Sequence, residues 1–449
     1  MNTFAPSNGL PPEVLSRVLE HRDCDRDLVT ATHVCRYCRS TLVSGALLWT
    51  NFRFKSSPDL DRTFTYLERS KSTPIDVEIS SRSPKDLEIF KHLAPHITRA
   101  RSFIIGGTHL DVPAISHLFR NPVPSLQHLK IDSRECLIRL PDDFLGQQTL
   151  SLRSVNFSGI RLTFESSFPL PNLTEFKLSL PMGAGPIHMS ALLRFFSASS
   201  QLQKIRINTG HEVLQGIAPD QVVSLESLVE FDCACKPAGR ILPCLRLPRL
   251  KQLRVYLSLG SGQGPTLADL LPSNGRILIM GTTKMLYCSD TWSHRIELSG
   301  KGVYVSLAIS TPGPTSVDWF SNETYVPLGQ IEDLTVEGRY GSATADFPIN
   351  AFKDLGVLRV IPWNEQFAED FWLLLYPGVV IPCQSLREIR YTYRKPLGPL
   401  TNLARERKRA GHQLGSVWLL TVHAFDENRA EELREHVGEA RLERWDPSR

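Results

Sequence analysis

Four clusters in this 449-residue chain carry residue types that chemistry uses. His33, Cys35 and Cys38 lie within six residues, with His21 and Cys24 upstream. Zinc would need four ligands converging tetrahedrally, and half of this set would have to turn away from a helix core. The cysteines are therefore expected to pack as small hydrophobes and to bind no metal. His211-Glu212-Val213-Leu214-Gln215 begins like a zinc-protease helix, but Gln215 stands where the second histidine is needed. Cys233 and Cys235 are two apart on an expected strand, so their thiols face opposite sides. The glycine-rich stretch from Gly260 to Gly264 lacks the Lys-Ser/Thr of a phosphate loop and the spacing of a dinucleotide turn. No G-x-S-x-G nucleophile elbow occurs. The reading is a chain with no catalytic residues, no metal and no cofactor, and so not an enzyme.

Composition narrows the class further. Lys and Arg number 51 against 47 Asp and Glu, a net charge of +4, too small and diluted to imply nucleic acid. The dense basic run at 405–412 is read as the exposed face of a helix packed by Leu400 and Leu403. At 41% hydrophobic and 22% charged residues, the chain can bury a large core. Its nine scattered cysteines do not form a disulfide framework. The opening residues show neither a basic nor an apolar signal region. Apolar runs such as Ser416 to Phe425 are half the roughly 20 residues a membrane span needs. An intracellular protein with reduced thiols is expected, cytoplasmic or nuclear, with no membrane partner.

The first fifty residues read as three short helices. Pro11 and Pro12 suit a helix start, where a missing N–H costs little. Val14, Leu15, Val18 and Leu19 form one apolar stripe. A second helix, capped by Asp25 or Asp27, carries Leu28, Ala31, Cys35, Cys38 and Leu42. A third carries Leu47, Leu48 and Trp49. Three helices in about 45 residues bury too little to stand alone, so they need a partner or a tight join to the rest.

These residues resemble an F-box. The likeness rests on Leu10-Pro11 with Glu13, Val14 and Leu15; on Asp27-Leu28; on Val34-Cys35-Arg36 with Arg39; and on Leu48-Trp49. The family often has Trp where this chain has Cys38. The resemblance implies a domain over residues 1–54 that docks the adaptor subunit (S-phase kinase-associated family) of a cullin–RING ubiquitin ligase of the SCF type. The implied contacts are Leu10, Pro11, Val14, Leu15, Val18, Leu19, Leu28, Val34, Cys35, Leu48 and Trp49. A plain helical cap on the following domain is the rival reading.

Beyond residue 120 a six-residue phrase recurs, with apolar residues at its first, fourth and sixth positions. It starts at Leu126, Leu152, Leu173, Leu202, Leu228 and Leu250, spaced 26, 21, 29, 26 and 22 residues apart. Later copies start at Ile331, Leu355 and Leu386. Period and phrase resemble leucine-rich repeats, although Arg134 and Pro181 stand where the usual asparagine follows the strand. The whole is similar to fungal-type F-box proteins with a divergent repeat solenoid. An α/β fold is expected: a three-helix F-box, then a leucine-rich-repeat-like solenoid over 55–449 with a concave parallel sheet. Helices are expected at 111–120 and 189–199. An irregular stretch at about 259–325 should hold strands near 276–280 and 302–309. A polar cap over about 400–449 should end in a helix at 426–440.

On such a sheet the residues between the buried positions point outward. They include His128, Lys130, Lys177, Lys204, Arg206, Asp232, Arg254 and Tyr256 as target-binding candidates. Their charges alternate in sign, whereas a groove for phosphate backbones would be one-signed. The expected target is a protein.

Overall fold

The computed structural model describes residues 11–20, 25–54, 60–81, 88–108, 110, 112–119, 122–133, 138–139, 150–161, 170–181, 187–209, 214–215, 222–234, 241–258, 271–275, 279–290, 293–310, 328–338, 347–363, 365–376, 382–393, 397–421 and 427–444. Described residues up to Thr209, with Leu214 and Gln215, form one compact unit; those from Val222 onward form a second. Both are mixed α/β with mostly parallel sheet.

The first unit opens with α1 (Pro12–Glu20), α2 (Asp25–Thr32) and α3 (Arg36–Ser44). A 3₁₀ turn (Ala46–Trp49) leads into strand β1 (Asn51–Phe54). The single helix expected from Leu28 to Leu42 is two helices. The chain extends at Cys35, whose thiol caps α3 by accepting from the Cys38 amide at 3.3 Å. A side-chain acceptor at this position satisfies an amide that the helix itself leaves open.

Next come α4 (Leu60–Arg69), β2 (Ile75–Ser81), α5 (Glu88–Leu93), β3 (Ala100–Gly107), α6 (Val112–Phe119) and β4 (His128–Ser133). Then follow β5 (Ser154–Ser158), β6 (Glu175–Leu180), α7 (Met189–Ala198) and β7 (Lys204–Thr209). Strands β1 to β7 pair in chain order, each parallel to the next.

The recurring phrase has a direct structural meaning. Its first apolar residue is buried and closes a tight turn: Leu126, Leu173 and Leu202 donate to the carbonyls of Val123, Leu170 and Ser199. The next residues donate to the preceding repeat, as Gln127 does to Arg101 and Gln203 to Thr174. The fourth and sixth residues then point into the core, such as Leu129 and Ile131. Helices cover that inner side, with Phe119 edge-on to Phe103 at 5.1 Å and Phe196 against Phe176 at 6.3 Å.

The second unit contains β8 (Glu230–Ala234), β9 (Gln252–Ser258), β10 (Lys284–Asp290), β11 (Ser293–Gly300), β12 (Val303–Ser310), β13 (Asp333–Gly338) and β14 (Val357–Pro362). It ends with α8 (Glu365–Leu374), β15 (Glu388–Tyr393), α9 (Gly398–Arg409), β16 (Ser416–Thr421), α10 (Glu427–Arg434) and β17 (Glu439–Arg444).

Three expectations are corrected here. The described residues of the irregular stretch are mostly sheet: β10, β11 and β12 form an antiparallel meander whose outer strands join β13 and β9 in parallel. Of the strand expected at 276–280, residues 276–278 lie outside the described residues; Ile279 begins a turn closed by Thr282. The closing helix is shorter than expected and yields to β17, which pairs with β16. The meander's β11–β12 hairpin turns on Lys301 and Gly302, at φ 45° and 79°. Two left-handed residues match the right-handed twist of the strands they join.

The basic run at 405–412 is likewise not all surface. Arg407 is wholly buried and donates to the carbonyls of Pro382 (2.8 Å) and Cys383 (3.0 Å). It satisfies a turn held left-handed by Cys383 at φ 48°. Burial pushes the Cys383 thiol up to about 12.

Gly159 follows β5 at φ +67°, and a Cβ there would sit 2.2 Å from the Ser133 carbonyl oxygen. Gly159→Ala is predicted to destabilise the fold by roughly 1–3 kcal/mol, from backbone strain plus a clash. Gly302→Ala, with open space around it, should cost only about 1 kcal/mol. Urea midpoints of the two variants check the order.

Candidate functional site

Two surfaces are candidates: the N-terminal helices and the outward face of each sheet. On α1, the Val14 and Leu15 amides both bond the Pro11 carbonyl, so the proline starts the helix without needing a donor of its own. Val14 and Val18 are 43% and 49% exposed, one turn apart on one face. Val34, in the turn between α2 and α3, is 66% exposed, and Leu47 is exposed as well. Leu15, Leu28, Cys35 and Leu48 are half-buried and Pro11 is exposed. Leu10 and the side chain of Leu19 lie outside the described residues.

Trp49 is placed differently: it is 0% exposed. Its indole N–H donates to the Leu42 carbonyl at 2.8 Å, and Tyr66 of α4 meets it edge-on at 4.8 Å. The Arg69 guanidinium lies 4.4 Å from the ring centre. Trp49 therefore ties the N-terminal helices to the chain that follows, and any effect it has on an outside surface is indirect.

Residues 7–55 match the family model described as F-box-like. This segment is an F-box-like domain. No curated protein matches the chain. The F-box-like domain ends at the first strand; its apolar residues Val14, Val18, Val34 and Leu47 are exposed, whereas Trp49 is buried.

Beyond the F-box-like domain, the third and fifth residues of each phrase form rows across the sheet. In the first unit Lys130, Asn156, Lys177 and Arg206 stand in register on β4 to β7. His128, Ser154, Glu175 and Lys204 form the row beside it, with Ser154 donating to Glu175 at 3.1 Å. The first row extends to Ile104, Glu78 and Arg53 on β3, β2 and β1. A groove of about 410 Å³ opens where Gly106 leaves no side chain, lined by Glu78, Ser80, Ile104, Lys130 and Asp132. In the second unit Asp232 of β8 stands opposite Arg254 of β9, and Tyr256 is exposed two residues on. Tyr304 of β12 lies 5.9 Å from the Arg254 guanidinium, and burial pushes its phenol up.

Sequence reasoning missed the far side of the second unit. Arg359, Arg390, Trp418 and Arg441 occupy one row on β14 to β17. Arg390 and Arg441 flank the Trp418 ring, at 5.2 and 4.8 Å from its centre. Each arginine has a carboxylate: Asp333 at 3.0 Å from Arg359, Glu388 beside Arg390, and Glu439 at 2.6 Å from Arg441. The signal was in the phrase, because Arg359 and Arg390 are the fifth residues of its copies at 355 and 386. β16 and β17 have no such copy, and their outward residues were hidden by that. Among the described residues, no group of three or more His, Cys, Asp or Glu side chains is placed to hold a metal ion. No helix among them is long and apolar enough to cross a membrane.

The two tryptophans differ in what surrounds them. Trp49→Ala empties a closed site and is predicted to cost about 3–5 kcal/mol. Trp418→Ala loses a half-buried ring and two surface cation–π contacts and should cost only ~1–2 kcal/mol. Denaturant titration of both variants measures the difference.

Proposed function

We propose that this chain is the substrate-recognition subunit of an SCF-type cullin–RING ubiquitin ligase. The observation that carries the reading is the F-box-like match over residues 7–55. Exposed Val14 and Val18 on one face of α1 support it, since they supply an apolar surface that the described residues leave uncovered. F-box domains bind the adaptor of the S-phase kinase-associated family and, through it, the cullin. In this reading residues 1–54 dock the adaptor, and residues 55–449 are a leucine-rich-repeat-like array whose outward rows bind a protein target. Strands β4 to β7, parallel, pairing in chain order and each opened by the same phrase, support the array. The subunit does no chemistry; it raises the local concentration of a target near the transferring enzyme. It works in the cytoplasm or nucleus. The mixed signs of Lys130, Glu175, Lys177, Asp232 and Arg254 favour a protein target over nucleic acid.

One observation favours a second reading, a non-catalytic scaffold whose N-terminal helices serve only as a cap. Trp49 seals those helices onto Tyr66, as a cap would be sealed.

The two readings part on adaptor binding. Val14→Asp with Val18→Asp puts charge into the proposed interface and leaves the Trp49 core intact. Losing even one buried valine contact is worth roughly 1.5–3 kcal/mol, so adaptor affinity should fall about tenfold or more. Lys130→Glu with Lys177→Glu should leave adaptor binding unchanged and weaken capture of a target stabilised by proteasome block. Paired pull-downs of both variants read this out. An unmodified chain that never retains the adaptor removes the ligase reading and leaves the scaffold.

A further inference from the structure

The pair Cys35 and Cys38 has a use that neither reading above assigns. Cys35 is the cap of α3 and is half-buried; Cys38 is in the first turn of that helix, 4% exposed. The Cys38 amide donates to the Cys35 sulfur at 3.3 Å, which places the two cysteine side chains on the same turn. An amide hydrogen bond and the positive end of a helix both stabilise a thiolate. The Cys35 thiol is accordingly held below its ordinary range, first by the Cys38 amide and then by the Cys38 thiol. Two arginines belong to the same helix: Arg36 is exposed in its first turn, and Arg39 is held by its bond to the Thr32 carbonyl at 3.0 Å. The arrangement has a reachable nucleophilic sulfur in front and a sheltered second sulfur behind.

We propose that Cys35 and Cys38 form a thiol–disulfide exchange site whose reactant is a low-molecular-weight disulfide. The Cys35 thiolate attacks one sulfur of the reactant's S–S bond. That bond breaks, one thiolate leaves, and a mixed disulfide stands on Cys35. The Cys38 thiol then gives its proton to solvent, and its sulfur displaces the second thiolate from Cys35. Two protein thiols have lost two electrons; the reactant has gained them and, with two protons, departs as two thiols. Of the other described cysteines, Cys233, Cys244 and Cys383 are buried, with burial pushing the Cys383 thiol up to about 12, and half-buried Cys288 lies within strand β10, not at a helix start.

The test uses the full chain and oxidised glutathione, followed by alkylation and mass mapping. The unmodified chain should form a Cys35–Cys38 disulfide that excess reduced glutathione reverses. Cys38→Ser should accumulate glutathione on Cys35, and Cys35→Ser should leave Cys38 unlabelled. Serine at position 35 keeps an acceptor for the cap, so that variant retains its helix start. With iodoacetamide, Cys35 should react at least about tenfold faster than half-buried Cys288. No Cys35–Cys38 disulfide in the unmodified chain, or labelling of Cys35 no faster than that of Cys288, overturns the proposal. None of these readouts involves the adaptor, so the result stands apart from the ligase reading.

Discussion

The structure depends on one repeated exchange of backbone hydrogen bonds. At the start of most phrase-bearing strands an apolar side chain drops into the core, its amide closes a turn, and the following amides reach the previous strand. Leu126, Leu173 and Leu202 do this in the first unit, and Leu250, Ile331 and Leu386 in the second. From β1 to β7 each connection joins strands that pair with one another, so the loop entropy of closing those pairs stays small. The outward residues are relieved of structural work and are free to vary in charge.

The N-terminal helices are held by a different device. They bury little of their own, and Trp49 is their main anchor, gripped by Leu42, Tyr66 and Arg69. Packing the anchor inward while Val14, Val18 and Val34 stay outside separates the residue that holds the helices from those left on the surface. A substitution on the outer face can then change that surface without loosening the join.

Much of this was legible in the chain, for reasons that differ by element. The phrase at 126 to 250 predicted strands because period-two alternation with a buried leucine has few other solutions. Helices α6 and α7 were legible from apolar spacing. The break at Cys35 was not, because the apolar stripe from Leu28 to Leu42 continues smoothly through it; the decisive term was a thiol-to-amide cap that periodicity cannot show. Strands β10 and β11 were hidden because the meander lacks the phrase, its strands being set by hairpins instead of repeat turns. Arg407 looked like a surface charge until the carbonyls of Pro382 and Cys383, 25 and 24 residues away, supplied its partners. Of the proposed contacts, the positions on strands were readable from alternation, whereas the inward turn of Trp49 depended on Tyr66, outside the helices themselves.

Strand β17 pairs with β16 on one side, and among the described residues nothing pairs with its other side. Such a margin is a template onto which another chain's strand can add, the first step of self-assembly into fibrils. Its alternate residues Glu439, Arg441 and Glu443 bear directly on that hazard. A second copy adding in parallel register would set glutamate against glutamate and arginine against arginine, and like charges directly opposite are repulsive. The charges of β17 thus act as a gatekeeper against in-register addition along that margin.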